Sequence, residues 1–199
     1  YLLNARGFKR WLYRLIWFTL PCRAAARVTV ISESTRKVLE AEVGYLRDKL
    51  TVVENCVIRV AEYRQREFCC ERPRILQIGS GWNKNLDTLI EAVDGLDCEV
   101  KIVGKLSEKN RVSMEHRKII FSSEYNVSDS RLAEIYEECD ILFFASRHEG
   151  FGLPILEAQG IGMPVVTSNC YSMPDVSGGA AVLVDPESKI QIREAVEKI

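Results

Sequence analysis

The sequence predicts an α/β fold built on a Rossmann-like, doubly wound parallel sheet, and three observations predict it. Short, continuous apolar runs such as "RILQIG" and "DILFFAS" have the length of strands buried on both faces. Amphipathic stretches alternate with these runs. Glycine-bearing loops follow two of the strands and lead into helices, as at a ligand-binding sheet edge.

In chain order, residues 5–20 mix apolar and basic positions and read as a helix that Pro21 closes. "RVTVIS" reads as a strand, "ESTRKVLEAEVG" as a helix stopped by Gly44, and "KLTVVENCV" as a second strand. That order is a βαβ unit, which normally belongs to a parallel sheet. Residues 59–73 are polar, lack a clean period and end in proline, as a linker does. A longer series then begins with "RILQIG" as strand, "NLDTLIEAVDGL" as helix, "CEVKIVG" as strand and a polar helix-like stretch. It continues through "KIIFSS" as strand, "SDSRLAEIYEECD" as helix, "DILFFAS" as strand and a helix from Pro154, and closes with the strands "MPVVTS" and "AAVLVD" and the stretch "ESKIQIREAVEKI". Because the chain opens and closes inside helices, residues 1–60 are expected to be the C-terminal remnant of one Rossmann-like domain. Residues 61–73 are then an interdomain linker, and residues 74–199 most of a second domain, truncated at its C-terminus. This division requires residues 27–57 to stay outside the sheet formed by residues 74–184.

With 199 residues, 47% of them hydrophobic and 28% charged, the chain has the composition of a soluble globular protein. A formal net charge of -1 gives no case for a nucleic-acid partner. The first 32 residues nevertheless carry six basic residues and no acidic one, beside the aromatic run "WLYRLIWFTL". That run is too short and too charged to span a bilayer, which needs about 20 apolar residues, and no small-residue cleavage site follows it. A cytoplasmic location is the simplest expectation. Seven scattered cysteines without a CxxC pair, and two histidines, do not make a zinc site; the cysteines read as small core residues in a reducing compartment.

"RHEGFGLPILEAQGIG", residues 147–162, sets Glu149 and Glu157 on either side of a Gly-Phe-Gly turn and a proline. In a helix interior Pro154 costs about 3 kcal/mol, so the helix is expected to begin at Pro154. Glu149 then lies in the loop at the carboxyl edge of the sheet, and Glu157 one turn into the helix. Gly150 and Gly152 allow close approach of the backbone to a ligand, and the helix start suits an anion. Carboxylates accept hydrogen bonds from hydroxyls, so the strip reads as hydroxyl acceptor, anion cradle, hydroxyl acceptor. A sugar, a diphosphate and a ribose in a row fit that order. The alternative is that both acids merely complement a helix N-terminus and the glycines make a turn. The loop "GSGWNK" after "LQI" faces the same edge, and Lys84 in it is either a cation for phosphate or a solvated lysine.

"EGFGLPILEA" resembles the E-x7-E signature of the retaining GT-B glycosyltransferases, specifically family 4 (group 1), with the glycines, the proline and both acids in register. The likeness extends through "VTVISESTRKVLE", "KLTVVENCV", "LQIGSGWNKNLDTLIEA", "SDSRLAEIYEECDILFFAS" and "MPDVSGGAAVLVDP", most of residues 25–187. It implies that residues 74–199 are a donor domain for a nucleotide diphosphate sugar, and that residues 1–60 end an acceptor domain. By position, Glu149 would contact the donor sugar, the amides of Phe151 and Gly152 the phosphates, Glu157 the ribose hydroxyls, and Lys84 the diphosphate. The backbone near Val127 would meet the base, with Gly79, Ser80, Gly81, Gly150 and Leu153 completing the binding surface. Glu149 and Lys84 would carry the chemistry: transfer of a hexose to a glycan or lipid-linked acceptor with retention. The resemblance further implies a role in cell-envelope polysaccharide biosynthesis.

Ser80 stands where many members have a second phosphate-binding arginine, and Asn55-Cys56 where the family often has Asn-Gly. The resemblance implies that most of the acceptor domain lies outside these residues, so the stretch by itself is expected to transfer nothing; a nucleotide-sugar-binding module without turnover is the alternative. No Asp-x-Asp pair is present to hold a divalent ion, so neither metal nor cofactor is expected. "GSGWNK" ends in lysine and "CEVKIVGK" in no acid, against a dinucleotide oxidoreductase. A glycosidase would need a carboxylic acid as proton donor, a role disfavoured for an acid inside a helix N-terminal turn. His148 is expected to frame the pocket rather than move protons, and His116 to be at the surface. The basic aromatic helix either lies on an anionic membrane as a peripheral contact or packs within its own domain.

Overall fold

The computed structural model describes residues 7–44, 48–57, 63, 68, 69 and 71–199. The linker expected over residues 61–73 lies largely outside these, as do residues 1–6 and Cys70. The chain divides into two compact units, Tyr1–Asn55 and Cys56–Ile199.

In the first unit α1 (Phe8–Arg14) continues through a π turn (Leu15–Thr19) into α2 (Leu20–Ala24). The helix therefore does not stop at Pro21, contrary to expectation. The Leu20 amide bonds Leu15 O, five residues back, so the ladder is already shifted when it meets the proline. A shift of that kind accommodates a residue that lacks an N–H and crowds the preceding turn. β1 (Val28–Val30), α3 (Glu33–Glu42) and β2 (Leu50–Val52) follow, with β1 and β2 paired in parallel and Val28 opposite Leu50. Ser32 caps α3 by accepting a hydrogen bond from the Thr35 amide.

The second unit contains β3 (Arg74–Ile78), α4 (Leu86–Ala92), β4 (Glu99–Val103), α5 (Glu108–His116), β5 (Ile120–Glu124) and α6 (Asp129–Glu138). It continues with β6 (Ile141–Phe144), α7 (Leu153–Gly160), β7 (Val165–Ser168), α8 (Met173–Ser177), β8 (Val182–Val184) and α9 (Lys189–Lys198). These strands form one parallel six-stranded sheet in the order β5-β4-β3-β6-β7-β8, which β1 and β2 do not join. Alternate residues feed two cores. Ile75, Val100, Ile102, Ile141 and Phe143 pack with Leu89, Met114 and Ile192 from α4, α5 and α9. Leu76, Leu142, Phe144 and Val165 pack with Ile135, Ile155 and Met173 from α6, α7 and α8. Burial on both faces explains why β6 reads as an unbroken apolar run.

The order also fixes where a ligand can enter. From β3 the chain winds outward to β4 and β5, then crosses back to β6 on the other side of β3 and winds the opposite way. The loops leaving β3 and β6 therefore diverge, opening a crevice at their carboxyl ends.

Candidate functional site

The loop after β3 is shaped by its glycine and closed by buried amides. Gly79 has φ +85°, and a Cβ there would lie 2.8 Å from Cγ and 2.9 Å from Cε of Lys84. The lysine side chain thus occupies space that only glycine leaves open. Gln77 Nε2 donates to the carbonyls of Gly79 and Lys84, both at 3.0 Å, which folds the loop onto the strand end. Asn85, buried with φ 62°, donates through Nδ2 to Ala145 O (2.9 Å) and Pro186 O (2.7 Å) and accepts from Thr88 Oγ1 (2.7 Å).

These constraints aim Lys84 across the crevice. Its Nζ lies 2.7 Å from Glu149 Oε1 and 4.6 Å from the centroid of the Phe144 ring. Both side chains are mostly withdrawn from water, at 23% and 16% exposure, so the pair is stronger than a surface ion pair. The Glu149 loop is latched by its neighbours. Arg147 N donates to Asn83 O (2.8 Å) and Asn83 Nδ2 to His148 O (3.2 Å). The Arg147 guanidinium donates to Trp82 O (3.0 Å), Asp87 Oδ1 (2.9 Å), Thr88 Oγ1 (3.0 Å) and Glu187 Oε1 (2.7 Å). Burial works against the Asp87 carboxylate, yet the hydrogen bonds and charge of Arg147 hold it below the usual aspartate range.

Gly152, at φ +115°, turns the chain into α7, and Phe151 is buried with its carbonyl held by Ser172 Oγ at 2.7 Å. The helix begins at Leu153, one residue before the expected start. Pro154 still falls in the first turn, where its missing N–H leaves no bond unmade. Glu157 is a turn further along, and Tyr136 OH donates to its Oε2 at 2.6 Å.

The strip Gly150–Leu153 and Glu157 thus lies on one loop and helix, with Lys84 and Glu149 already joined beside it. Ser80 turns toward the next loop, its Oγ donating to Lys105 O at 2.7 Å, and the Gly81 carbonyl closes the turn by accepting from Lys84 N at 2.8 Å. Val127 packs against the core between α6 and the sheet, just before Ser128, which caps α6. Nearby, hydrogen bonds from Arg131 and then Lys101 hold the Glu124 carboxyl down at about 2. His148 sits edge-on to Tyr171, ring centroids 4.6 Å apart, and Tyr171 has φ 57°, a strained conformation for an aromatic residue. Sequence reasoning passed over Asn83, Arg147, Tyr136 and Tyr171. Only the folded loops reveal the first two as latches, and a tyrosine at a core position of a helix carries no outward sign of its hydroxyl's partner.

Residues 72–199 match the model of a family described as Glycosyl transferases group 1. The serotype-specific mannosyltransferase WbdA of Escherichia coli is 33% identical over 112 residues, 53% of this chain and 14% of that protein. Another WbdA sequence from that organism is 39% identical over 120 residues, 54% of this chain and 15% of that protein. The matched stretch is thus a small part of these relatives. Among solved structures, Anabaena HepE in complex with UDP and glucose has a TM-score of 0.78 at 15% identity, covering 94% of this chain and 56% of that one. Sucrose-phosphate synthase from Thermosynechococcus elongatus has a TM-score of 0.77 at 17% identity, covering 98% and 53%. The lipopolysaccharide-biosynthesis glycosyltransferase WaaG has a TM-score of 0.75 at 17% identity, covering 99% and 61%.

Proposed function

The chain belongs to the glycosyl transferases group 1 family and has a GT-B-type, Rossmann-like fold, and from that premise we propose that it binds the donor of a retaining, metal-independent hexosyl transfer of family 4. The observation that carries the proposal is the meeting of Lys84 and Glu149 at 2.7 Å, at the switch point of the sheet and beside the turn into α7. A cation, a hydroxyl acceptor and a helix start together suit a nucleotide diphosphate sugar. The WbdA relatives make mannose the first sugar to test.

In this reading the diphosphate lies on the amides of Phe151 and Gly152, with Gly79, Ser80, Gly81, Gly150 and Leu153 around it. It draws Lys84 from Glu149 toward itself, which frees Glu149 to accept hydrogen bonds from the sugar. Glu157 takes the ribose hydroxyls and the backbone at Val127 meets the base. An acceptor hydroxyl attacks the anomeric carbon on the face from which the diphosphate departs. The bond from that carbon to the phosphate oxygen breaks, and the acceptor's proton passes to the departing oxygen. Lys84 and the fixed amide dipoles stabilise the charge that grows on the leaving group, so no metal is required for that task.

Titration with UDP-, GDP- and ADP-sugars tests the proposal: saturable binding to one base class is expected, and no binding to any of them by the folded protein joined to a complete N-terminal domain refutes it. Release of nucleoside diphosphate by that same two-domain protein with a glycan or lipid-linked acceptor then separates a transferase from a binding module without turnover. We place the reaction at the cytoplasmic side. Among the described residues no helix is long and apolar enough to cross a membrane, but Phe8, Trp11, Trp17 and Leu20 are exposed beside basic residues. This basic, aromatic helix either rests on an anionic membrane or packs within its own domain. Co-flotation with anionic vesicles, lost when Lys9 and Arg14 are neutralised, selects the membrane; unchanged partitioning selects packing.

A further inference from the structure

We propose that Tyr136 is a positioning residue for ribose recognition: its buried hydroxyl ties down one oxygen of Glu157 so that the other faces the ribose. The inference rests on the nucleotide reading of the site given above. Tyr136 has 0% exposure and its ring packs among Leu76, Ile135, Leu142, Phe144 and Ile155. A phenylalanine would fill the same space, so ring packing alone does not call for the hydroxyl. That hydroxyl donates to Glu157 Oε2 at 2.6 Å, the short distance of a charge-assisted bond. Burial, and then the Glu157 charge, push the phenol pKa up, so it remains a donor at any working pH.

The consequence for Glu157 is geometric. A glutamate has three rotatable side-chain bonds and loses much rotamer freedom when fixed, a loss that otherwise falls on ligand binding. With Oε2 held from inside the core, the carboxylate is set before the ligand arrives, and Oε1 is left to accept from ribose. α6 also begins just after Val127, so one helix links the segment proposed to meet the base with the group that orients the ribose acceptor. Base and ribose are thereby recognised in a fixed register.

The test compares the dissociation constant of a nucleoside diphosphate, whichever of UDP, GDP and ADP binds most tightly, with that of its 2′,3′-dideoxy analogue. Wild type is expected to prefer the ribose form by about tenfold or more, the value of a hydrogen bond to a charged acceptor. Tyr136→Phe is expected to bring the ratio close to one by weakening the ribose form while moving the dideoxy form less than about twofold. A packing defect alone would weaken both forms alike and leave the ratio intact, which overturns the inference. Should Tyr136→Phe not fold, the crystal structure of wild type with the nucleoside diphosphate bound decides. Tyr136 OH is expected to stay on Glu157 Oε2 with a ribose hydroxyl on Oε1 at about 2.5–3.0 Å. A ribose on Oε2 with the phenol displaced from it overturns the inference. Failure of wild type to bind any nucleoside diphosphate defeats the functional reading and this inference together. Binding with a preserved ratio in Tyr136→Phe defeats this inference alone.

Discussion

Replacing Gly79 by alanine tests the geometry of the crevice without removing a single functional group. The new methyl would stand 2.8 Å from Lys84 Cγ and 2.9 Å from Cε, closer than carbon atoms approach, so the lysine has to leave its course toward Glu149. The backbone at φ +85° adds strain of about 1–2 kcal/mol for a residue with a Cβ. For a chain of this size each kcal/mol lowers Tm by about 2–4 °C, so a drop of about 2–8 °C is expected in thermal unfolding. The larger effect is on the ligand. Lys84→Ala is expected to weaken binding of a nucleoside diphosphate about 10–100-fold, the loss of a charged hydrogen bond. Gly79→Ala should approach that loss although the ammonium is still present. The double variant Gly79→Ala/Lys84→Ala should bind no worse than Lys84→Ala, because both changes remove one interaction. Titration calorimetry on the three variants checks this. Wild-type affinity in Gly79→Ala, or additive losses in the double variant, would refute the claim that Gly79 exists to seat the lysine.

The two glutamates should separate by readout. Glu157→Ala is expected to weaken nucleoside diphosphate binding about tenfold, while Glu149→Ala releases Lys84 from its partner, leaves that binding as tight or tighter and erodes discrimination among sugars, both measured by competition titration. Arg147→Ala should loosen the Glu149 loop and remove the support of Asp87. Because the folded Asp87 pKa is depressed, its contribution is present above the unfolded value and is lost as pH falls through the folded one. Chemical denaturation should therefore show wild type ahead of Arg147→Ala at neutral pH, with the gap closing below about pH 4. Ser80→Arg adds a cation at the loop mouth and should tighten diphosphate binding several-fold at low salt, an advantage that shrinks as salt is raised.

The central strands of the sheet were legible because burial on both faces leaves a short apolar run, as in Ile141–Phe144, that polar helices cannot imitate. The start of α7 was legible to within one residue because a proline is tolerated only in a first turn. α8, five residues long, was not, since it is too short to display a helical period. Pro21 misled because a local rule about helix ends cannot anticipate a π turn upstream. At the site, Glu149, Lys84 and the glycines could be named from their place after strands. The latches could not: Asn83 and Arg147 act through bonds to another loop more than 50 residues away in sequence. The partnership of Tyr136 with Glu157 likewise exists only once α6 and α7 lie against the same face of the sheet.

A crystal structure of the protein soaked with its tightest-binding sugar nucleotide would show whether the strip from Glu149 to Glu157 seats a nucleoside diphosphate sugar. Diphosphate oxygens are expected at hydrogen-bond distance, about 2.7–3.2 Å, from the Phe151 and Gly152 amides and from Lys84 Nζ, with the ribose on Glu157 and the sugar on Glu149. A nucleotide bound elsewhere, with the Lys84–Glu149 pair undisturbed at 2.7 Å, would contradict it.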